Sequence, residues 1–194
     1  MDKTSKLYQA YCQILKEELI PAMGCTEPIA IAYAAAKARE VLGKEPDSVK
    51  IGVSYNIIKN VKSVIVPNTG GMKGIQSAAA AGIVAGQADK ALEVISQVSA
   101  KQKQDITEFL NRMEICVEPI DQGMIFDIVI RLGYGAESAV VRIAQYHTNI
   151  VYIEKNGEVL LDHTETINQP AVHDHTEEGL TDRSLLTVDD IYEF

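Results

Sequence analysis

Tryptophan is absent from this chain, and aromatic residues make up only 6% of it. The interior must therefore be built from aliphatic side chains and alanine. Cysteine is scarce: Cys12, Cys25 and Cys116 are too few and too scattered for a disulfide framework. No pair has CxxC spacing, so the chain lacks the signature of a complete zinc or cluster site. A cluster ligand here would need partner cysteines from elsewhere. No stretch reaches the roughly 18 apolar residues that a membrane helix requires. The longest candidate, residues 78–86, is short and flanked by Gln76, Ser77 and Gln87. Met1 to Lys6 is not followed by an apolar signal core, which argues against a secretory signal. A basic excess is also missing, which removes the electrostatic footprint of a nucleic-acid binder. These absences read together as a cytoplasmic chain that engages neither membrane nor nucleic acid.

What is present is a globular composition, with 46% hydrophobic and 23% charged residues. The net charge of −9 is unevenly spread. Residues 162–194 hold nine acids against one base, Arg183; the remainder is nearly balanced at 18 acids and 17 bases. The acidic end reads as a solvated linker.

Leu7, Tyr8, Tyr11, Ile14, Leu15 and Leu19 recur at helical spacing, so residues 4–20 are expected to form an amphipathic helix. Cys12 beside this stripe reads as a small packed hydrophobe. Pro21-Ala22-Met23-Gly24 breaks the chain. Pro28 suits the first turn of a second helix, over residues 28–42, because proline has no amide hydrogen to leave unpaired there. Thr26 or Glu27 would cap it, and Gly43 would stop it. Strands are expected within 48–66, where Val49, Ile51 and Val53 alternate with polar or small residues. Residues 74–88 read as a second buried small-residue helix. Residues 90–113 read as one or two exposed helices, broken near Ser99.

Short Val/Ile-rich runs between 115 and 161 predict strands, and Asn156-Gly157 predicts a hairpin between 151–154 and 158–161. The expected fold class is α+β: buried Ala/Gly-rich helices packed with a mostly antiparallel sheet that includes the strand near residue 51. Residues 1–162 form this body. Residues 163–194 form the acidic linker and the start of another helix, capped at Thr187. His173-Asp174-His175 can be drawn as a metal site, but such a stretch reads first as solvated linker.

Three places can carry chemistry. Cys25 precedes a helix, where free amides and the dipole favour a thiolate, the form that binds metal or attacks substrate. Glu27 opposes this if it points the same way. Asn68-Thr69-Gly70-Gly71-Met72-Lys73-Gly74 is a glycine-rich turn whose amides can cradle a carboxylate or phosphate, with Lys73 adding charge. Its spacing is neither a P-loop nor GxGxxG. His147 stands alone near a strand end, where a structural role and a catalytic one both remain open.

Gly24-Cys25-Thr26-Glu27-Pro28 with its alanine-rich helix resembles the opening signature of the cysteine desulfidases, relatives of the iron–sulfur serine dehydratase alpha chain. Residues 67–75 resemble that family's second signature. His147-Thr148-Asn149-Ile150 followed by Glu154-Lys155-Asn156-Gly157 resembles a third.

The resemblance implies the amino-terminal portion of a lyase that converts L-cysteine or L-serine to pyruvate, ammonia and sulfide or water. It implies a [4Fe–4S] cluster with three cysteine ligands, of which only Cys25 is matched here. The partners implied are a small amino-acid substrate and a carboxyl-terminal half or partner subunit holding the other ligands. A homo-oligomer is left open. Asn68, Thr69, Gly70, Gly71, Thr26 and Glu27 are the expected substrate contacts; His147 and Lys73 are the expected proton-transfer groups. Pyridoxal phosphate is not expected, because no cofactor-bearing lysine motif is present. The alternative is a non-catalytic ligand-binding or assembly module of a larger or split enzyme. A thiol enzyme with Cys25 as nucleophile is a third reading, with His147 as the base before the tail.

Overall fold

The computed structural model describes residues 2–168 and 181–194. His173, Asp174 and His175 lie outside the described residues. The chain divides into two compact units, Ala22–Asn168 and a smaller one formed by Met1–Pro21 with Gln169–Phe194.

The larger unit is built on two helices that are largely apolar and buried, with charge in α2 confined to its ends. Helix α2 (Thr26–Leu42) buries Ile29, Ile31, Leu42 and a series of alanines, and helix α4 (Gly74–Ala85) buries Ile75, Ile83 and four consecutive alanines. A helix apolar round most of its surface must lie inside the fold. The two pack so closely that a Cβ on Gly82 would sit 2.1 Å from the Ala32 carbonyl oxygen. One on Gly86 would sit 2.6 Å from the Ala36 Cβ. The small residues are thus required by backbone proximity rather than by helix propensity. Helix α2 ends at Gly43, which adopts the left-handed conformation that glycine takes at little cost.

A six-stranded sheet lies against this layer. Its strands are β1 (Ser48–Val53), β2 (Ile115–Pro119), β3 (Asp127–Tyr134), β4 (Glu137–Ala144), β5 (Ile150–Lys155) and β6 (Glu158–Asp162), in the order β2-β1-β3-β4-β5-β6. Only β1 and β2 are parallel. Val49, Ile51 and Val53 face the core with Ile128, Ile130, Leu132, Val141 and Ile143, all buried. Asn156 and Gly157 both have positive φ and close the β5–β6 hairpin, where Lys155 faces Glu158 and Ile153 faces Leu161. The α+β expectation, with its mostly antiparallel sheet, matches this architecture.

The structure differs from the sequence expectation in three places. Residues 48–66 are not all strand: β1 stops at Val53 and helix α3 (Tyr55–Val61) follows. The buried Ser54 hydroxyl donates to the Ile125 carbonyl and turns the chain, and Ile57 and Val61 then bury one face at helical spacing. Residues 63–66 make only a single bridge, Ile65 to Lys73. Helix α2 begins at Thr26 rather than 28, so Cys25 occupies the cap position expected of Thr26 or Glu27. Pro28 is still tolerated, because the first helical amides have no intrahelical acceptor. Between α4 and β2 the chain forms a 3-10 turn (Ala88–Glu93) and helix α5 (Ala100–Arg112), which starts at a Ser99–Gln102 capping box where the sequence reading put a break.

The smaller unit pairs helix α1 (Lys6–Glu18) with the segment that leads into helix α6 (Val188–Glu193). The Tyr11 hydroxyl accepts from the Thr187 amide and donates to the Leu185 carbonyl. Arg183 donates to Glu17 at 2.5 Å and to Glu18 at 2.7 Å. Phe194 stacks on Tyr8 and Tyr11, with ring centroids 4.9 and 5.4 Å away.

Candidate functional site

The site begins at Gly24, whose φ of 144° lets the chain enter α2. A Cβ there would lie 3.4 Å from the Pro67 ring, so the loop before Cys25 rests on the glycine-rich loop. Cys25 is exposed, and its side chain makes no capping bond to α2. Its thiol instead donates to Glu27 Oε2 at 3.2 Å. Burial and then the Glu27 carboxylate push the Cys25 thiol above its ordinary value, partly offset by the Glu27 amide. The helix terminus that favours a thiolate is therefore outweighed by burial, together with the acid two residues away.

Glu27 joins the pieces. Its other carboxylate oxygen accepts from the Asn60 side-chain amide on α3 at 3.4 Å. Burial pushes the Glu27 carboxyl up, but its own backbone amide, the Cys25 thiol, Asn60 and the His147 charge together bring it below the usual value. His147 is half-buried, with its ring 4.4 Å from that of Phe126. Burial lowers its pKa, and the Glu27 charge opposes this only partly. The imidazole is therefore mainly neutral at pH 7 and able to accept a proton.

In the glycine-rich loop the expected contact residues do different things. The Asn68 amide donates to the Ile95 and Ser96 carbonyls, and the buried Thr69 hydroxyl donates to the Val66 carbonyl at 2.8 Å. Both side chains hold the loop in shape. Gly70 and Gly71, at φ 80° and 99°, are exposed, and their amides meet no acceptor among the described residues. They are the groups available to an anion. Lys73 caps α4 through its backbone and is exposed; its carbonyl accepts from Ser77. Thr26 occupies the first helical position and is half-buried.

The fold thus joins Cys25 to Glu27, leaves His147 near enough for its charge to act on Glu27, and places the glycine-rich loop beside the start of α2. No contact draws Lys73 to these residues. Asn60 and Phe126 were missed, because residue 60 was read within a strand region and a lone Phe carries no pattern. Among the described residues, no group of three His, Cys, Asp or Glu side chains is placed to hold a metal ion. Cys25, exposed and not used in capping, fits one ligand position of a cluster. The other donors would have to come from beyond the described residues. No described helix is long and apolar enough to cross a membrane.

The fold and site define an α+β protein that presents a thiol, a carboxylate and an imidazole beside a loop of free amides. The chain is 53% identical over 194 residues to a UPF0597 protein of Desulfitobacterium hafniense, covering 100% of this chain and 44% of that one. It is 42% identical over 194 residues to a UPF0597 protein of Treponema denticola, of which it covers 43%. A UPF0597 protein of Fusobacterium nucleatum is 42% identical over 181 residues, which cover 93% of this chain and 41% of that protein. The chain therefore spans less than half the length of these curated relatives. No family model matches it, and no solved structure matches it. These findings correct the family assignment: the relatives bear the UPF0597 name and not that of cysteine desulfidases or serine dehydratases. The short signatures behind that assignment also meet local needs, a helix start at Cys25 and a loop with positive φ at Gly70 and Gly71, which unrelated chains share.

Proposed function

We propose that this chain is the amino-terminal, substrate-side portion of an iron–sulfur-dependent lyase that performs β-elimination on L-cysteine or L-serine. The observation that carries the reading is the Cys25–Glu27 contact, held by Asn60 and set beside a loop with free amides, with His147 near enough for its charge to act on Glu27. Cys25 would hold one iron of a [4Fe–4S] cluster, with the remaining thiolates supplied by the part of the protein outside this chain. When bound, that group supplies Lewis acidity toward the substrate.

The residues of this chain then have distinct tasks. The Gly70 and Gly71 amides bind the substrate carboxylate, as amides at a loop before a helix do for anions. Neutral His147 accepts the α-proton, while ionised Glu27 stabilises the imidazolium that forms. Loss of the α-proton with departure of sulfide or hydroxide gives 2-aminoacrylate. Its imine tautomer adds water and yields pyruvate and ammonia, which balances the reaction. Asn60 holds the Glu27 carboxylate in place.

The test is a chimera in which this chain replaces the matching segment of the Desulfitobacterium hafniense relative, purified without oxygen. Pyruvate release from cysteine or serine is expected, with His147→Gln lowering kcat by about 10²-fold or more. A folded chimera that releases no pyruvate from either amino acid contradicts the proposal, as does one whose His147→Gln variant keeps the full rate.

A further inference from the structure

The smaller unit buries little of what it would need to stand alone. Among its described residues, only Tyr11 and Ile14 are buried apolar side chains. On its surface lie Leu19, Leu185, Leu186, Val188, Ile191 and Tyr192, all exposed. Val188, Ile191 and Tyr192 stand at i, i+3 and i+4 on α6, so they share one helix face. That face is 83%, 55% and 93% exposed at the three positions. Phe194 packs one side of its ring on Tyr8 and Tyr11 but is itself 40% exposed. A contiguous apolar face of this kind on so small a unit marks an interaction surface.

We propose that this face docks the region that makes up the rest of the relatives' length. The length of the relatives chooses that occupant, and the charge of α6 describes its surface. The chain covers 44%, 43% and 41% of three relatives while 93% or more of it aligns, so each relative carries a large region with no counterpart here. The charge describes the partner's rim: α6 carries Asp189 and Asp190 in its first turn and Glu193 at its end. The partner surface is therefore apolar at its centre and basic at its rim, with long-range attraction speeding encounter. The inference does not depend on the lyase reading, since it concerns burial and not chemistry.

Hydroxyl-radical footprinting read by mass spectrometry tests it. Leu186, Ile191 and Tyr192 are oxidised in the dilute, monomeric chain and are expected to react at least about tenfold more slowly in the chimera. The paired substitution Ile191→Asp and Tyr192→Asp is expected to restore the reactivity of Leu186 in the chimera without lowering the melting temperature of the larger unit. Equal reactivity in chain and chimera overturns the proposal. So does protection already complete in the dilute monomer. So does protection that appears only with dimers in sedimentation, which would make a second copy the occupant. Should the chimera fail to fold, the same footprint on the aligned positions of the full-length relative decides between these outcomes.

Discussion

The larger unit and the smaller one are stabilised in opposite ways. In Ala22–Asn168 the chain is buried by shape: alanine and glycine let α2 and α4 meet backbone to backbone, and a sheet of Val, Ile and Leu closes over them. In the smaller unit, with two buried apolar side chains among its described residues, the contacts are largely polar, centred on Glu17, Thr181, Arg183 and the Tyr11 hydroxyl. Hydrophobic burial is indifferent to pH and to partners, whereas ion pairs respond to acid and exposed apolar faces respond to company. The candidate site belongs to the rigid unit, as a preorganised site requires.

The largest expected break is in the rigid unit. Gly82→Val drives a side chain into the Ala32 carbonyl, and the cost is expected to be about 3 kcal/mol or more. Denaturant unfolding monitored by circular dichroism should show the larger unit losing most of its stability. A change below about 0.5 kcal/mol would mean the helices are not in backbone contact, since that is the scale of neutral surface changes.

Next in size is Asp127→Ala. Asp127 is 1% exposed and receives two hydrogen bonds from Arg142, at 2.9 and 2.8 Å. Removing it leaves a mostly buried guanidinium unpaired, for an expected loss of about 3 kcal/mol. The double variant Asp127→Ala with Arg142→Met should recover part of it.

The smaller unit is expected to break with acid. Burial raises Glu17, but the hydrogen bonds from Thr181 and Arg183 outweigh it and bring its carboxyl down from 4.5 to about 2. A depressed carboxyl stabilises the folded form above its unfolded value and loses that contribution as pH falls through the folded one. Hydrogen exchange at residues 181–187 should therefore quicken as pH falls from about 4.5 towards about 2, once corrected for intrinsic rates, while α2 and α4 keep their protection. Glu17→Gln should flatten this dependence.

The smallest effect sharpens the site. Glu27→Gln removes the charge that helps hold the Cys25 thiol protonated. Alkylation of Cys25 by iodoacetamide at pH 7.5 is expected to become severalfold faster, because the thiolate is the reacting form. An unchanged or slower rate would show that burial alone sets the thiol.

The sequence made some of this legible through local chemistry. Asn156-Gly157 predicted the hairpin because only a turn with two positive φ values joins those strands tightly. Gly43 marked the end of α2, and the Ala/Gly content of 74–85 announced close helix packing. Residues 55–61 escaped because Ile57 and Ile58 read as strand, and their helix depends on Ser54 reaching Ile125, 71 residues away. The cap at Cys25 escaped because cysteine is no usual cap and forms none of the usual bonds there. For the site, Cys25, Glu27 and His147 were named singly. The Asn60 bond to Glu27 is not legible in the sequence, since it depends on α3 lying beside the start of α2. The shared motifs also drew the family assignment away from the UPF0597 relatives.

The cluster ligand is the centre of the functional account, and iron bound to the anaerobic chimera tests it most directly. The account predicts a brown protein with iron bound through thiolates, as for Cys-ligated clusters, together with loss of colour and iron in a folded Cys25→Ala variant. A Cys25→Ala variant that keeps its colour and full iron content would contradict it.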